Sequence, residues 1–155
     1  MVPFLIALAL LSPYPPGSAG CPGLSAPVAG EIVRAFAPVG TFGGHWGVDF
    51  SVEPGTGVRA ADAGRVTFAG EVAGVLSVTV DHGGGLRTSY SYLSEIDVTR
   101  GQWVATGSPI GRSGTDHDIA AVHFSVRVGD VYQDPANWLV CLTSPQPALT
   151  LVPLP

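Results

Sequence analysis

Apolar and polar side chains alternate with a period of two over several short segments of this 155-residue chain. In AAVHFSVRV (120–128), Val122, Phe124 and Val126 fall on one face of a strand, and His123 and Arg127 fall on the other. Similar patterns, bounded by glycine and proline, predict strands within residues 31–38, 58–70, 75–85, 86–93 and 100–111. Because no segment repeats with the helical period of 3.6, we predict an all-β fold, an antiparallel β-sandwich or barrel-like domain.

The composition agrees with this pattern and narrows the range of partners. The 21 glycines and 14 prolines favour many turns and short strands. The net charge is −5, and the seven basic residues are all arginines that form no cluster along the chain. Nucleic acid is therefore not expected as a partner. We also expect a monomer.

Both ends of the chain differ in composition from the middle. The apolar run VPFLIALALL (2–11) is shorter than the roughly 20 residues that a membrane-spanning helix needs. Turn-forming and small residues follow it, which predicts a signal peptide at 1–20, although no Lys or Arg precedes the run. The predicted domain then occupies 21–141, and 142–155 form a proline-rich tail. We therefore expect a secreted or cell-envelope protein.

Two cysteines, Cys21 and Cys141, stand at the two ends of the predicted domain. In an exported protein they can form a disulfide that ties the ends together. Alternatively, SAGC (18–21) loosely resembles a bacterial lipobox, which would make Cys21 a lipid-modified N-terminus. We favour the disulfide, because Ser18 stands where a lipobox prefers Leu and lipid modification would leave Cys141 unpaired.

The segment HWGVD (45–49) carries an imidazole and a carboxylate four residues apart. The neighbouring glycines argue against a helix, and in an extended segment positions i and i+4 share a face. Alone, the pair is most simply a structural His–Asp hydrogen bond. With His123 as a third group from a distant strand, it predicts a His₂Asp zinc site whose fourth position is open to water.

Several blocks of the chain together resemble the lysostaphin/LytM-type zinc metallopeptidases of bacterial cell walls. The blocks are HWGVD (45–49), PGTGVRAADAGRVTFAG (54–70), VTVDHGGGLRTSYSYL (78–93), RGQWVATGSPIG (100–111) and VHFSVR (122–127). The resemblance extends from about Pro27 to Trp138. It implies a β-rich fold and bound zinc, with His45, Asp49 and His123 as the metal ligands. Active members cleave peptide bonds in peptidoglycan stems or cross-bridges.

Two positions depart from the family pattern. The first histidine of the family's H-x-H motif is replaced by Ala121, and the histidine of its Y-x-H-L block is replaced by Tyr92. In active members these histidines assist the metal-bound water. Each lost acid–base group costs on the order of 10²–10⁴-fold in rate, so impaired hydrolysis is expected. His117, between Asp116 and Asp118, is the candidate substitute, although we favour an exposed turn of polar residues as the explanation.

The sequence thus leaves two functions open. One is a zinc endopeptidase acting on peptidoglycan peptides with a weakened catalytic set. The other is a catalytically inactive module on the same fold, which binds the cell wall or regulates a partner wall hydrolase.

Overall fold

More than half of the described chain is β-strand, and turns and short loops join the strands. The computed structural model describes residues 23–41 and 43–139. The predicted signal peptide, the tail and both cysteines lie outside these residues. The strands are β1 (Glu31–Arg34), β2 (Ala37–Val39), β3 (Gly43–His45), β4 (Val48–Ser51), β5 (Gly57–Arg59), β6 (Gly64–Val72), β7 (Val75–Gly83), β8 (Leu86–Ile96), β9 (Trp103–Val104), β10 (Pro109–Asp116), β11 (Ile119–Val128) and β12 (Val131–Gln133). A 3₁₀ turn at Pro135–Asn137 follows them, and no helix in the described part is long and apolar enough to cross a membrane.

The strands form one large antiparallel sheet and a separate two-stranded ribbon of β2 and β3. The order along the large sheet is β1-β4-β11-β10-β8-β7-β6-β9, with β12 paired to β11 and β5 paired to β10. The ladder between β11 and β8 is an additional pairing. This architecture confirms the predicted all-β fold. One detail differs, because the strand predicted at 31–38 is divided into β1 and β2 at Ala35 and Phe36.

One face of the large sheet packs on the hydrophobic core. Val122, Phe124 and Val126 of β11 are fully buried there, as their alternation predicts. They pack with apolar residues from neighbouring strands and from the segments around Leu24 and Leu139. His123 and Arg127 therefore lie on the opposite face, which is only partly covered.

A hydrogen-bonded chain fixes the β7–β8 hairpin to the loop before β6. The buried Tyr90 hydroxyl accepts a bond from the Ala61 N–H at 2.8 Å and lies 2.8 Å from Thr88 Oγ1. His82 contacts Thr88 Oγ1 through Nε2 at 2.8 Å, and its Nδ1 lies 2.9 Å from the Ala63 carbonyl oxygen. Burial raises the pKa of Tyr90 to about 12. The phenol is therefore a neutral structural group at physiological pH.

Candidate metal centre

Three short structural elements bring His45, Asp49 and His123 together. His45 ends β3, Asp49 lies in β4, and His123 lies opposite Asp49 in the β4–β11 ladder. A bend at Trp46 and Gly47 separates His45 from Asp49. The two side chains thus converge as expected, but not as positions i and i+4 of a single extended strand.

The three side chains present one atom each to a common point. His45 Nε2 lies 3.0 Å from Asp49 Oδ1 and 3.1 Å from His123 Nδ1, and the third separation is 2.8 Å. Tetrahedral zinc with bonds of about 2.0–2.1 Å separates its ligand atoms by about 3.3 Å. The observed separations are therefore a few tenths of an ångström shorter than those in a zinc-loaded site. Among the described residues, these three side chains form the group that can hold a metal ion.

The chemistry of the donors also fits a cation. His45 Nδ1 lies 2.8 Å from the Ala35 carbonyl oxygen, which can only accept, so Nδ1 carries a proton. The remaining ring nitrogen, Nε2, faces the Asp49 carboxylate and is an acceptor unless it also carries a proton. Two acceptors at 3.0 Å need a proton or a metal ion between them. The residues present therefore fit zinc, and its chemistry when bound is to lower the pKa of water and to polarise a carbonyl.

The Asp49 carboxylate remains ionised in this environment. Burial alone acts to raise the pKa of Asp49, but the hydrogen bond and charge of His123 and the interactions with His45 outweigh it. The pKa consequently lies below its ordinary value. The exposed Arg34 guanidinium adds a positive group 3.8 Å from Asp49 Oδ2.

Gly47 lets the bend approach β11 closely. A Cβ at this position would lie 2.4 Å from the Phe124 carbonyl oxygen and 2.6 Å from His123 Cε1. Any other residue would therefore displace the His123 ring or the strand that carries it. The HWGVD segment thus contributes a packing requirement as well as two of the predicted ligands.

The position of the first missing histidine is occupied by a small buried side chain. Ala121 pairs with Ser51 of β4 on one side and with Gly114 of β10 on the other. It shares the face of His123, because the two residues are separated by one position in the same strand. Ala121 is 2% exposed and carries no group that can move a proton.

Tyr92 occupies the second missing histidine's position, in an irregular part of β8. Residues 86–91 of β8 pair with β11, whereas Leu93 pairs with Ser113 of β10, so Tyr92 lies where β8 changes partner. Its φ of 62° is unusual for a bulky residue and turns the side chain towards the metal centre. The ring centroid lies 6.4 Å from that of His123. Burial, and then the charge and hydrogen bonding of Asp116, raise the pKa of Tyr92, so its hydroxyl is a donor and not a base.

His117 does not reach the predicted metal ligands. It lies with Asp118 in the turn between β10 and β11, where both residues have positive φ, as a tight two-residue hairpin turn requires. Its side chain is 86% exposed and hydrogen-bonds through Nδ1 to Asp116. His117 therefore lies in an exposed turn, as one of the two interpretations of the sequence predicts. The expected carboxylate partner of its ring is also present.

Asp116 is a site residue that the sequence did not single out. It is buried, and it lines a cavity of about 460 Å³ together with His45, His123 and Tyr92. The DHD run resembles a polar loop, whereas β10 continues as a strand through Asp116. If the alternation of faces in β11 is continued backwards from Ala121, through the turn and into β10, Asp116 falls on the metal-centre face. This is the sequence signal that could have identified it.

A second cavity continues from His123 along the open face of the sheet. We call it the hydroxyl groove; its volume is about 480 Å³. Its lining residues are Trp46, Thr67, Phe68, Val72, Ser77, Thr79, Arg87, Ser89, Ser91, His123, Ser125, Arg127 and Tyr132. Most of the floor side chains are hydroxyl groups, which suits hydrogen bonding to an extended polar ligand.

Comparison with known proteins identifies a common domain. The profile of peptidase family M23 matches residues 43–135. An uncharacterized protein of Neisseria meningitidis is 35% identical over 119 residues, and the outer membrane antigenic lipoprotein B of Haemophilus influenzae is 31% identical over 117 residues. The matches cover 75% and 73% of this chain but only 20% and 28% of those proteins. The chain thus spans less than a third of these relatives.

Solved structures share the fold. Lysostaphin from Staphylococcus simulans superposes with a TM-score of 0.70 and 29% identity, covering 87% of this chain and 61% of lysostaphin. A zinc-containing peptidase from Vibrio cholerae gives 0.64 and 26%, covering 73% and 39%. The complex of SpoIIIAH and SpoIIQ gives 0.67 and 26%, covering 74% of this chain and 98% of the matched chain.

Proposed function

Because the chain belongs to peptidase family M23, we propose that it is an exported zinc-binding domain directed at peptidoglycan peptides, with impaired hydrolytic activity. The observation that carries this proposal is the convergence of His45, Asp49 and His123 at separations that suit zinc. The related zinc-containing peptidase from Vibrio cholerae supports the choice of metal.

The protein groups around the centre account for the impairment. A neutral Tyr92 hydroxyl can donate a hydrogen bond to a peptide carbonyl oxygen as it becomes negative, but it cannot accept a proton from water near neutral pH. Ala121 contributes neither function. The Asp116 carboxylate lies in the same cavity and accepts the hydrogen bond of the Tyr92 hydroxyl, so the single phenol proton reaches a peptide carbonyl only when this bond is exchanged.

Digestion of purified peptidoglycan, analysed by mass spectrometry, tests this proposal. We expect the zinc-loaded wild type to release little or no peptide product, and Ala121→His/Tyr92→His to release more. Each restored acid–base group is worth on the order of 10²–10⁴-fold in rate. Histidine tolerates the positive φ at position 92 better than most residues, so the backbone can accept it.

A single variant tests whether His117 acts as a substitute catalyst. His117→Ala should leave the wild-type product yield unchanged, because its ring is mostly exposed, is paired with Asp116 and is not part of the group that can hold the metal. Rapid cleavage by the wild type that is lost in His117→Ala would overturn the proposal and make His117 the catalyst.

A catalytically inactive module is the second candidate function. Ala121 and Tyr92 favour it, and so does the likeness to a chain whose structure was solved in the complex of SpoIIIAH and SpoIIQ. Failure of the restored double variant to cleave, with zinc bound and peptide binding intact, would favour this module over the enzyme. Its partner would then be the wall or a wall hydrolase.

The proposal also covers the location of the protein and the covalent state of Cys21 and Cys141. We infer association with the cell envelope, which the name of the Haemophilus lipoprotein supports. The Leu24 N–H donates to the Trp138 carbonyl oxygen at 2.8 Å, so the two ends of the described domain meet three residues from Cys21 and from Cys141. This contact supports the disulfide, whereas the lipoprotein relative supports lipid modification of Cys21. Intact mass under non-reducing conditions distinguishes them.

A further inference from the structure

The hydroxyl groove has a regular floor, set by the register of β8 and β11. Residues that lie directly opposite each other in this ladder point to the same face. The successive rungs on the open face are His123–Ser91, Ser125–Ser89 and Arg127–Arg87. The floor therefore begins with a metal ligand, continues with hydroxyl groups and ends with two guanidinium groups.

The middle of the groove is polar but uncharged. Strand β7 extends the rungs with Ser77, whose Oγ lies 3.0 Å from Ser91 Oγ, and with Thr79, whose Oγ1 lies 2.9 Å from Ser89 Oγ. Each hydroxyl group can donate one hydrogen bond and accept two, so capacity remains for a ligand. Such a surface suits the alternating N–H and C=O groups of an extended peptide backbone.

The two arginines at the far end are not equivalent. Like charges directly opposite each other in a ladder are unfavourable unless they are compensated. Arg87 is compensated, because its guanidinium donates to Asp130 Oδ1 at 3.2 Å and to the Gly129 carbonyl oxygen. Asp81 is also its ladder partner in β7.

Arg127 lacks such compensation within the described part of the chain. Its Cζ lies 5.2 Å from the centroid of the Tyr132 ring, a cation–π contact that orients the guanidinium without neutralising it. No ion pair involves it in residues 23–41 and 43–139. The groove thus ends in an oriented, half-buried cation whose planar fork matches a carboxylate.

We propose that Arg127 is the carboxylate-binding subsite of the hydroxyl groove, and that the groove takes an extended peptide. The four residues from His123 to Arg127 span about 13 Å of strand. The ligand would therefore carry its carboxylate about four residues from the peptide group that lies at the metal centre. This inference rests on the proposed function, since it takes the metal centre as the place of the recognised peptide bond.

The charge distribution favours a peptide carboxylate over a polyanion. The chain carries a net charge of −5, so a nucleic acid or other polyanion would be repelled as a whole. A single carboxylate on a neutral backbone matches the Arg127 guanidinium, which lies beyond the row of hydroxyl groups. The carboxylate can belong to an acidic side chain or to the C-terminus of the peptide.

Fluorescence anisotropy with the full zinc-loaded chain tests the subsite. The probes are labelled, amidated alanine heptapeptides with one Glu at successive positions, matched peptides with Gln, and a Glu-free peptide with a free α-carboxylate. We expect one Glu position, or the α-carboxylate, to bind about tenfold more tightly than its uncharged counterpart. The position that gives the effect identifies the source of the carboxylate.

Two variants separate recognition from a structural role. Arg127→Gln should abolish the preference for the carboxylate while the Gln and amide peptides bind as before. Arg100→Gln removes an exposed arginine that does not line the groove and should keep the preference. A folding defect would instead weaken all peptides together and lower the melting temperature, and the preference would then be measured in Arg127→Lys, which should retain part of it.

The outcomes distinguish this inference from the proposed function. Equal binding of the charged and uncharged peptides to the wild type would overturn the subsite and leave peptide recognition intact. A preference that survives Arg127→Gln would also overturn it. Absence of binding by every peptide would overturn both the subsite and the proposed peptide ligand.

Discussion

Replacing Gly47 by alanine tests the geometry of the metal centre without removing any ligand. The added Cβ would lie 2.4 Å from the Phe124 carbonyl oxygen and 2.6 and 2.7 Å from two atoms of the His123 ring. Ordinary contacts of this kind are about 3.4 Å or longer, so a displacement approaching 1 Å is required. Phe124 is held by ladders to Val48 and Tyr90, so both the bend at Gly47 and the His123 ring must move, which changes the spacing between His45 and His123.

Such a displacement should weaken metal binding as well as folding, by similar free energies. Metal–ligand distances tolerate only about 0.2 Å of error, and changes next to the ligands typically cost about 10–100-fold in metal affinity. Overpacking of this kind lowers the free energy of unfolding by about 1–3 kcal/mol. We therefore expect zinc affinity to fall by at least about tenfold, measured by competition with a chromophoric chelator at neutral pH.

Gly57→Ala is the matched control. A Cβ at Gly57 meets nothing within 4 Å, and its backbone is not in the left-handed region. Its zinc affinity should equal that of the wild type. In a double-mutant cycle, Gly47→Ala should also destabilise the metal-free His123→Ala protein less than the metal-free wild type, because part of the clash is removed. Wild-type zinc affinity in a folded Gly47→Ala protein would refute the reasoning.

Two further predictions concern the metal and the core. His123→Ala should abolish stoichiometric zinc binding, as measured by metal analysis of the purified protein. A chelator should lower the melting temperature of the wild type but not of this variant. Equal zinc content in both proteins would contradict this prediction. Because burial raises the pKa of Tyr90 to about 12, the folded chain retains a proton that the unfolded chain loses above about pH 10. The free energy of unfolding should therefore be independent of Tyr90 below pH 10 and fall by up to about 3 kcal/mol towards pH 12. Urea unfolding at a series of pH values measures this fall, and Tyr90→Phe should lose this part of the pH dependence.

The sequence predicted the orientation of His123 well, and the reason is physical. One face of β11 is buried against the core, so a shift of one residue would expose Val122, Phe124 and Val126. Alternation is therefore a strong signal in this strand. The convergence of His45 and Asp49 was also predicted, but the bend at Trp46 and Gly47 that produces it was not, because an extended segment already explains the spacing.

Features that depend on pairing between distant strands were not predictable in this way. The opposition of Arg87 and Arg127 follows from the register of β8 and β11, whose residues are separated by about 40 positions in the chain. Tyr92 turns towards the metal centre because β8 changes partner at that residue, which no local pattern indicates. Asp116 was not predicted as a site residue because the neighbouring residues have the composition of a polar loop.

The ligands also have a mechanical consequence, because they come from separate pieces of backbone. Asp49 and His123 lie on adjacent strands, and His45 belongs to the small ribbon beside them. A metal ion bound by all three would act as a cross-link between β3, β4 and β11, close to the edge formed by β1. Separation of β4 or of the small ribbon from β11 would then require release of the ion, so zinc would slow proteolysis and hydrogen exchange there. Such a cross-link does not depend on hydrolysis, so the three predicted ligands would provide it with Tyr92 and Ala121 in place.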